Sequence, residues 1–250
     1  MKRFKNEKYN KIAADIKPVF KAEATGDNTE ITIYGDIGES WWNEAISAND
    51  VKNALKDATG ETITIKLNSP GGDAFDGIAI YNQLKNHDAK VIVEVDGLAA
   101  SAASIIAMAA DELIMNTGSM MMIHEASTFS FGTKADIQKT LNALEGIDKS
   151  IADIYMTRYT GSLESLNEMV EGETWLTASE AVEHGLADKV NESKDTEDLE
   201  SLKDMINNLS DQIKLLKIKN KNQEPTPDPE PEPIKPVAKK NLSSLFLNLN

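Results

Sequence analysis

Hydrophobic and polar positions follow two different periods along the first three quarters of the chain. Alternating or short apolar runs predict strands at residues 29–37, 62–67, 90–95, 112–115, 119–123 and 187–190. Apolar positions spaced by three and four predict helices at residues 47–58, 74–85, 101–109, 134–159, 163–170 and 178–183. Strands that alternate with helices indicate an α/β fold class, with a mainly parallel sheet covered by helices. The spacing alone does not separate a doubly wound sheet from other α/β arrangements.

The pattern changes character after residue 191. Between Leu199 and Leu216, large apolar residues repeat at alternating steps of three and four among polar neighbours, which predicts a narrow helical seam over residues 195–220. Such a seam suits a coiled coil or a partner helix, and the alternative is a helix docked on the preceding domain. Prolines interleaved with acids follow, so residues 221–250 are expected to form an extended linker with an apolar tail. That tail is either a disordered end or a short docking motif.

Composition limits the classes of protein that remain. The chain has 250 residues, which is enough for one sizeable core with appendages, and a formal net charge of −15. This charge argues against nucleic acid as a partner, because phosphate contacts need clustered Lys and Arg. The chain has no cysteine, which excludes disulfides, a thiol nucleophile and zinc–thiolate sites. No apolar run is long enough to span a bilayer, so we expect no membrane partner and a cytoplasmic protein.

Two motifs indicate chemistry at the ends of strands. Residues 68–72 (Asn-Ser-Pro-Gly-Gly) form a glycine turn after one apolar run, and residues 97–104 place Ser101 among small residues where another run gives way to a helix. Glycines allow backbone N–H groups to approach a substrate closely. A serine at a tight strand-to-helix turn is exposed and can act as a nucleophile. Together the motifs predict an oxyanion site facing a serine nucleophile.

A serine nucleophile needs a base, and the chain contains three histidines. His87 and His184 lie at polar helix ends. Histidine is common at helix C-termini, where it interacts with the last carbonyl groups and with the helix dipole. His124 instead closes the apolar run 120–123 and precedes polar, turn-prone sequence. A buried structural histidine is the alternative, but the presence of Ser101 and the glycine turn favours His124 as the base.

These motifs resemble a known family. The 68–72 turn, residues 99–101 (Ala-Ala-Ser), 122–124 (Met-Ile-His) and 175–181 (Trp-Leu-Thr-Ala-Ser-Glu-Ala) occur in the order and approximate spacing of the Clp protease proteolytic subunit. Residues 33–38 followed by Trp41 and Trp42, together with residues 96–104 and 173–175, resemble the ClpP-like head maturation (prohead) proteases of bacteriophages and prophages. The resemblance extends over residues 30–190.

The resemblance implies roles for particular residues. Ser101 corresponds to the nucleophile and His124 to the general base, while the backbone N–H groups of Gly71 and Ala102 correspond to the oxyanion hole. Glu173 stands where the typical Clp subunit has the aspartate of the triad. A glutamate can still accept the second imidazole N–H. The charge pattern alone would also fit a solvated acid near a helix start. The resemblance implies no metal and no cofactor.

The resemblance also implies an architecture and an assembly. The expected fold is a ClpP/crotonase-like spiral of β-β-α units, in which the helix over 134–159 protrudes as a handle between two rings. Without the resemblance, that helix would fit a simple cover for the sheet equally well. The expected organisation is an N-terminal arm (1–28), a ClpP-like protease domain (29–192), and the C-terminal helix and tail. We expect a homo-oligomeric ring that charged substitutions at Leu144 and Ile151 would dissociate.

The function implied by the resemblance is ATP-independent serine endopeptidase activity on phage procapsid proteins during head maturation. The expected substrates are scaffold and major capsid proteins, and the expected location is the procapsid in the host cytoplasm. One alternative is a host-type Clp proteolytic subunit that works with an ATPase. Another is a non-catalytic assembly scaffold of the same fold. The crotonase-like acyl-CoA enzymes share glycine-rich oxyanion loops but do not require the pairing of Ser101 with His124.

Overall fold

A computed structural model describes residues 4–5, 7–39, 44–58 and 60–191. The chain divides into two units, Met1–Asp195 and Thr196–Asn250, and every described residue lies in the first. The predicted C-terminal helix (195–220) and tail (221–250), and the Trp41–Trp42 pair, lie outside the described residues.

The described part of the chain contains one mixed sheet. Its strands are β1 (Val19–Thr25), β2 (Asn28–Tyr34), β3 (Thr62–Ser69), β4 (Lys90–Ala100), β5 (Glu112–Asn116), β6 (Met120–Ile123), β7 (Thr174–Thr177) and β8 (Lys189–Asn191). Their main order is β1-β2-β3-β4-β5-β8, with β1 antiparallel to β2 and the other neighbours parallel. Parallel strands buried on both faces need helices to cover them, which is the α/β class that the pattern predicts.

Helices connect and cover these strands. They are α1 (Glu7–Asp15), α2 (Ala48–Asp57), α3 (Ala74–Lys85), α4 (Ala102–Ala107), α5 (Lys134–Tyr155), α6 (Leu163–Glu171) and α7 (Ala178–Glu183). Capping boxes formed by Ser47, Thr133 and Thr177 define where α2, α5 and α7 begin. The observed bounds of α3 and α7 are the predicted ones. Two elements within the predicted N-terminal arm, α1 and β1, were not predicted.

Strand β4 is longer than its predicted range of 90–95, and its extra residues position Ser101. Its first half pairs with β5, while Leu98, Ala99 and Ala100 pair in parallel with Met120, Met121 and Met122 of β6. The register with β3 shifts between Leu67 and Ser69. The small residues Gly97, Ala99 and Ala100 break the hydrophobic alternation, which is why the sequence pattern ends too early. The extension delivers the chain directly to Ser101.

Two hydrophobic clusters stabilise the unit. The larger lies between the sheet and its covering helices, and it includes the fully buried Ile65, Val93 and Ile106. The smaller cluster joins Phe4 and Ala13 of the N-terminal region to side chains of β4 and β6. The strands that precede the candidate active site are therefore packed on both sides, which holds their ends in place.

Helix α5 changes from exposed to buried along its length. Ile137 and Leu141 in its first half are 44% and 48% exposed, whereas Ile151 is 3% exposed and packs in the subunit core. The expectation that a charge at Ile151 would report on assembly is wrong, because that charge would disrupt the subunit itself. No helix in the described ranges is long and apolar enough to cross a membrane.

Candidate active site

Ser101 stands at the sharp turn between β4 and α4. Its backbone adopts φ 56° and ψ −125°, a conformation that non-glycine residues rarely adopt. Its N–H donates to Met122 O at 2.9 Å, and its hydroxyl does not cap the helix. The strained turn therefore presents the hydroxyl at the carboxyl end of β4, where it does not bond to the backbone of the helix.

His124 lies at the same end of the sheet, directly after β6. Ala100 pairs with Met122 in parallel strands, so the residues that follow β4 and β6 emerge side by side. His124 Nε2 lies 2.7 Å from Ser101 Oγ. With the proton on Nδ1, Nε2 accepts the serine hydroxyl, which is the geometry for removing its proton.

Burial lowers the pKa of His124 below its ordinary value of 6.5, because the charged imidazolium loses hydration. The positive charge of Lys5 acts in the same direction, whereas the carboxylates of Glu173 and Asp148 partly raise the pKa. The imidazole is consequently neutral at pH 7, as a general base must be.

Glu173 lies opposite His124 across the β6–β7 pair. Ile123 is the partner of Thr174, and the same antiparallel register continued by one residue brings Glu173 to His124. Its backbone has φ 54°. Its carboxylate accepts hydrogen bonds from Lys5 N at 2.8 Å and from Trp175 Nε1 at 3.3 Å. Among the described residues, no hydrogen bond joins this carboxylate to the His124 ring.

A second carboxylate near His124 was missed by the sequence analysis. Asp148 belongs to α5, accepts a hydrogen bond from Ala126 N at 2.7 Å, and raises the pKa of His124 through its charge. Nothing in the sequence marks Asp148, because it is one of several acids on a long helix. Only the packing of α5 beside the segment after β6 brings it near the histidine.

Gly71 and Ala102 are adjacent in space, next to Ser101. A Cβ on Gly71, whose φ is +82°, would come within 2.5 Å of Ala100 O, 2.7 Å of Ser101 Cβ and 2.8 Å of Ala102 N. Only glycine fits this approach. The Gly71 N–H donates to Ser69 Oγ at 3.0 Å. Ala102 is the first residue of α4, where a backbone N–H has no partner within the helix.

A cavity of about 340 Å³ opens beside Ser101 and His124. Its walls are mainly apolar side chains from α3, α4 and α5: Phe75, Ile105, Leu144, Ile147, Ile151 and Tyr155. At its base, the buried Tyr155 hydroxyl lies 2.7 Å from Ser104 Oγ, which donates to Ser101 O at 2.6 Å. The cavity can accommodate an apolar side chain of a substrate. The hydrogen bonds from Tyr155 through Ser104 to Ser101 O stabilise the strained backbone of the serine.

No group of three or more His, Asp or Glu side chains within the described ranges has the arrangement of a metal site. The other two histidines lie at helix ends: His87 Nδ1 accepts from Ala89 N at 3.1 Å, and His184 is the C-terminal cap of α7.

Comparison with known proteins shows the family to which the chain belongs. A family model described as Clp protease matches residues 22–194, which is more than half of the chain. The ATP-dependent Clp protease proteolytic subunit 1 of Chlamydia abortus is 31% identical over 166 residues, covering 62% of this chain and 86% of that protein. The corresponding subunit of Ligilactobacillus salivarius is 29% identical over 169 residues, covering 66% of this chain and 83% of that protein. The chain therefore belongs to the Clp protease family, whose members are serine endopeptidases that form homo-oligomeric rings.

Proposed function

We propose that Ser101 is the nucleophile and His124 the general base of this serine endopeptidase. The observation that carries the proposal is the 2.7 Å approach of His124 Nε2 to Ser101 Oγ, at a serine whose backbone is strained. The burial of His124 supports it, because a lowered pKa keeps the imidazole ready to accept a proton at neutral pH.

In this mechanism, Ser101 Oγ attacks the scissile carbonyl carbon while its proton passes to His124 Nε2. The resulting oxyanion is stabilised by the N–H groups of Gly71 and Ala102, and Gly71 must then turn its N–H away from Ser69 Oγ. His124 gives the proton to the leaving amine, the C–N bond breaks, and an acyl-enzyme remains. Water then attacks the ester with His124 again as base. Glu173 stabilises the imidazolium.

We further propose that the substrates are scaffold and major capsid proteins of a phage procapsid, cleaved without ATP during head maturation in the host cytoplasm. The phage-type motifs at residues 96–104 and 173–175 support this role. Residues 195–250, with a heptad seam, a proline-rich stretch and an apolar end, lie beyond the family match and offer a means of recruitment into a shell. A homo-oligomeric ring would enclose the active sites.

A host-type role is the second candidate, and the relatives' names favour it. The proteins from Chlamydia abortus and Ligilactobacillus salivarius are both named proteolytic subunits of an ATP-dependent Clp protease. In this role, an ATPase would unfold substrates and feed them to the chain. The two candidates differ in whether protein substrates are degraded only when a Clp-type ATPase and ATP are present.

Co-expression with phage scaffold and major capsid proteins tests the proposal. The wild-type chain should cleave these proteins, and Ser101→Ala should abolish the cleavage. Ser150→Ala serves as the matched control, because Ser150 is exposed on α5 and its hydroxyl donates to Gly146 O of the same helix. Cleavage that persists in Ser101→Ala contradicts the assigned nucleophile. Processive degradation that requires an added Clp ATPase and ATP, with intact capsid proteins, would favour the host-type role instead.

A further inference from the structure

The N-terminal segment, defined as Phe4, Lys5 and helix α1, folds onto the candidate active site. Phe4 is 2% exposed, and its ring meets Trp175 edge-on with 5.2 Å between centroids. The His124 ring lies 6.5 Å from the same phenyl ring. Tyr9 stacks on Trp175 at 3.8 Å. Three aromatic contacts thus anchor this segment beside the base.

The anchor lies on the strands that carry the proposed catalytic residues. Phe4 packs in one cluster with Leu98 and Ala100 of β4 and with Met122 of β6. The side chain of Asn10 braces the main chain of Phe4 at both ends, accepting from its N–H at 2.9 Å and donating to its carbonyl at 2.7 Å. This bracing holds the next residue, Lys5, in a defined place.

Lys5 makes two contacts with the segment that carries the acid. Its main-chain N–H donates to Glu173 Oε2 at 2.8 Å, and its Nζ donates to Glu171 O at 2.9 Å. With Trp175 Nε1 donating to Oε1, both oxygens of Glu173 have donors that are not the His124 ring. The proposed acid is therefore held by Lys5 of the N-terminal segment and by Trp175 of β7, and not by the base.

We propose that the N-terminal segment is an autoinhibitory strap, in which the Lys5 N–H holds Glu173 away from His124 and limits the reactivity of Ser101. This inference rests on the proposed roles of Ser101, His124 and Glu173. When the strap lifts, Glu173 accepts the Nδ1–H of His124, orients the ring and stabilises the imidazolium that forms during the attack. Lys5 is a positioning residue, since it acts only through Glu173.

The site has space for this movement. A cavity of about 350 Å³ is lined by Phe4, Lys5, His124 and Glu173, so the carboxylate can change rotamer without displacing a packed side chain. The movement exchanges one hydrogen bond to the charged carboxylate, from the Lys5 N–H, for another from the His124 ring. The two arrangements are close enough in free energy for a contact with one residue to select between them.

The test compares Lys5→Pro with Lys5→Ala in the full chain. Both variants remove the ammonium group, and only proline removes the N–H that holds Glu173. We expect Ser101 of Lys5→Pro to react with a fluorophosphonate probe about tenfold faster than that of Lys5→Ala. Equal rates, or a slower rate in Lys5→Pro, would overturn the inference.

Two further readouts separate a positioning role from general loosening. The gain in Lys5→Pro should disappear when Glu173→Gln is added, because the freed group must be a carboxylate. The acid limb of the pH–rate profile should also move to higher pH in Lys5→Pro than in Lys5→Ala, since a closer carboxylate raises the pKa of His124. The charges that affect His124 are Glu173, Asp148 and Lys5, while Glu125 and Glu171 line the cavity beside it. A gain that survives Glu173→Gln contradicts the inference.

Asn10→Ala gives an independent variant in case proline disturbs folding. It removes both bonds that brace Phe4 and leaves the Lys5 N–H in the chain, so a smaller gain of about threefold is expected. No gain in a folded Asn10→Ala protein contradicts the strap. Failure of the proposed function looks different: the wild-type chain would then show no labelling that depends on Ser101.

Discussion

At the scale of single residues, the site depends on two non-glycine residues with positive φ, Ser101 and Glu173. Such conformations cost about 1–3 kcal/mol each and persist only where the surrounding structure enforces them. Here the enforcement comes from the pairing of β4 with β6 and of β6 with β7, and from the Ser104–Tyr155 hydrogen bond beneath the serine. The turn at Ser101 brings its hydroxyl within 2.7 Å of His124 Nε2, whereas the Glu173 carboxylate accepts from Lys5 N and Trp175 Nε1.

The two carboxylates near His124 can be separated by mutation. Glu173→Gln and Asp148→Asn each remove a charge that raises the pKa of His124, so both should move the acid limb of the kcat/KM profile to lower pH. In the wild type that limb should lie below pH 6.5, because burial lowers the pKa of the base. Only Glu173→Gln should lower kcat by about 100-fold or more, as expected for the group that stabilises the imidazolium. A larger kcat loss in Asp148→Asn would assign the acid to α5 instead.

Gly71 can be tested against a glycine with nearly the same φ. Gly71 and Gly118 have φ of +82° and +81°, but an added Cβ meets Ala100 O at 2.5 Å in the first case and nothing within 4 Å in the second. Gly118→Ala should lose about 1–2 kcal/mol of unfolding free energy because of its positive φ, and Gly71→Ala should lose more because its Cβ also clashes with Ala100 O. Peptide hydrolysis should fall about 100-fold only in Gly71→Ala, because the nucleophile turn and the oxyanion donor must shift. Similar hydrolysis rates in folded Gly71→Ala and Gly118→Ala would contradict this role.

At the scale of elements, the two halves of α5 differ in burial. Its C-terminal half supplies Ile151 and Tyr155 to the core and to the cavity wall. Its N-terminal half leaves Ile137 and Leu141 exposed, next to a preceding segment where Phe129 and Phe131 are 89% and 100% exposed. Large apolar side chains grouped in this way are typical of a protein–protein contact. This half of α5 is the part we expect to hold the oligomer together.

Leu141→Glu should weaken the assembly without unfolding the subunit. Leu141 is 48% exposed in the single subunit, so a charge there costs little until a second subunit buries it. Gln138→Glu adds the same charge at a neighbouring exposed polar position and serves as the control. Sedimentation should show smaller species for Leu141→Glu only, with unchanged far-UV circular dichroism in both. An unaltered oligomer in Leu141→Glu would exclude this face from the interface.

At the scale of the whole molecule, the family match and the described unit end together near residue 194, and 56 further positions follow among residues 195–250. All the proposed catalytic groups lie upstream of that boundary. The strongly acidic charge of −15 gives the chain little electrostatic attraction for nucleic acid, so recruitment to a shell would have to use protein contacts.

Ending the chain near Ser193 tests the division of labour between the two parts. Peptide hydrolysis and fluorophosphonate labelling should stay within about twofold of the full chain, because no proposed catalytic group is lost. Incorporation into procapsids, measured by quantifying the protease in purified particles, should fall at least about tenfold if the seam and the tail recruit the protease. Unchanged incorporation would remove the C-terminal part from recruitment. Loss of labelling in a folded, assembled truncation would show that this part supports the chemistry.

The sequence by itself determined the α/β class and most of the elements. Helices α3 and α7 were predicted with their observed bounds, because their periodicity and capping residues are local signals. The motif order was also enough to pair Ser101 with His124, since each follows a strand and parallel strands end at one edge. Strand β1, strand β7 and the full length of β4 were not predicted, because their residues lack clear alternation.

Tertiary structure alone decided which groups surround that pair. Asp148 reaches the histidine only because α5 packs beside the segment after β6, and Lys5 reaches Glu173 from 168 positions away in the chain. Burial, which sets the pKa of His124, also depends on packing from several elements at once. Local sequence signals extend over a few residues, whereas these contacts join distant segments. Their geometry follows from the free energy of the whole folded unit and not from any one stretch of the chain.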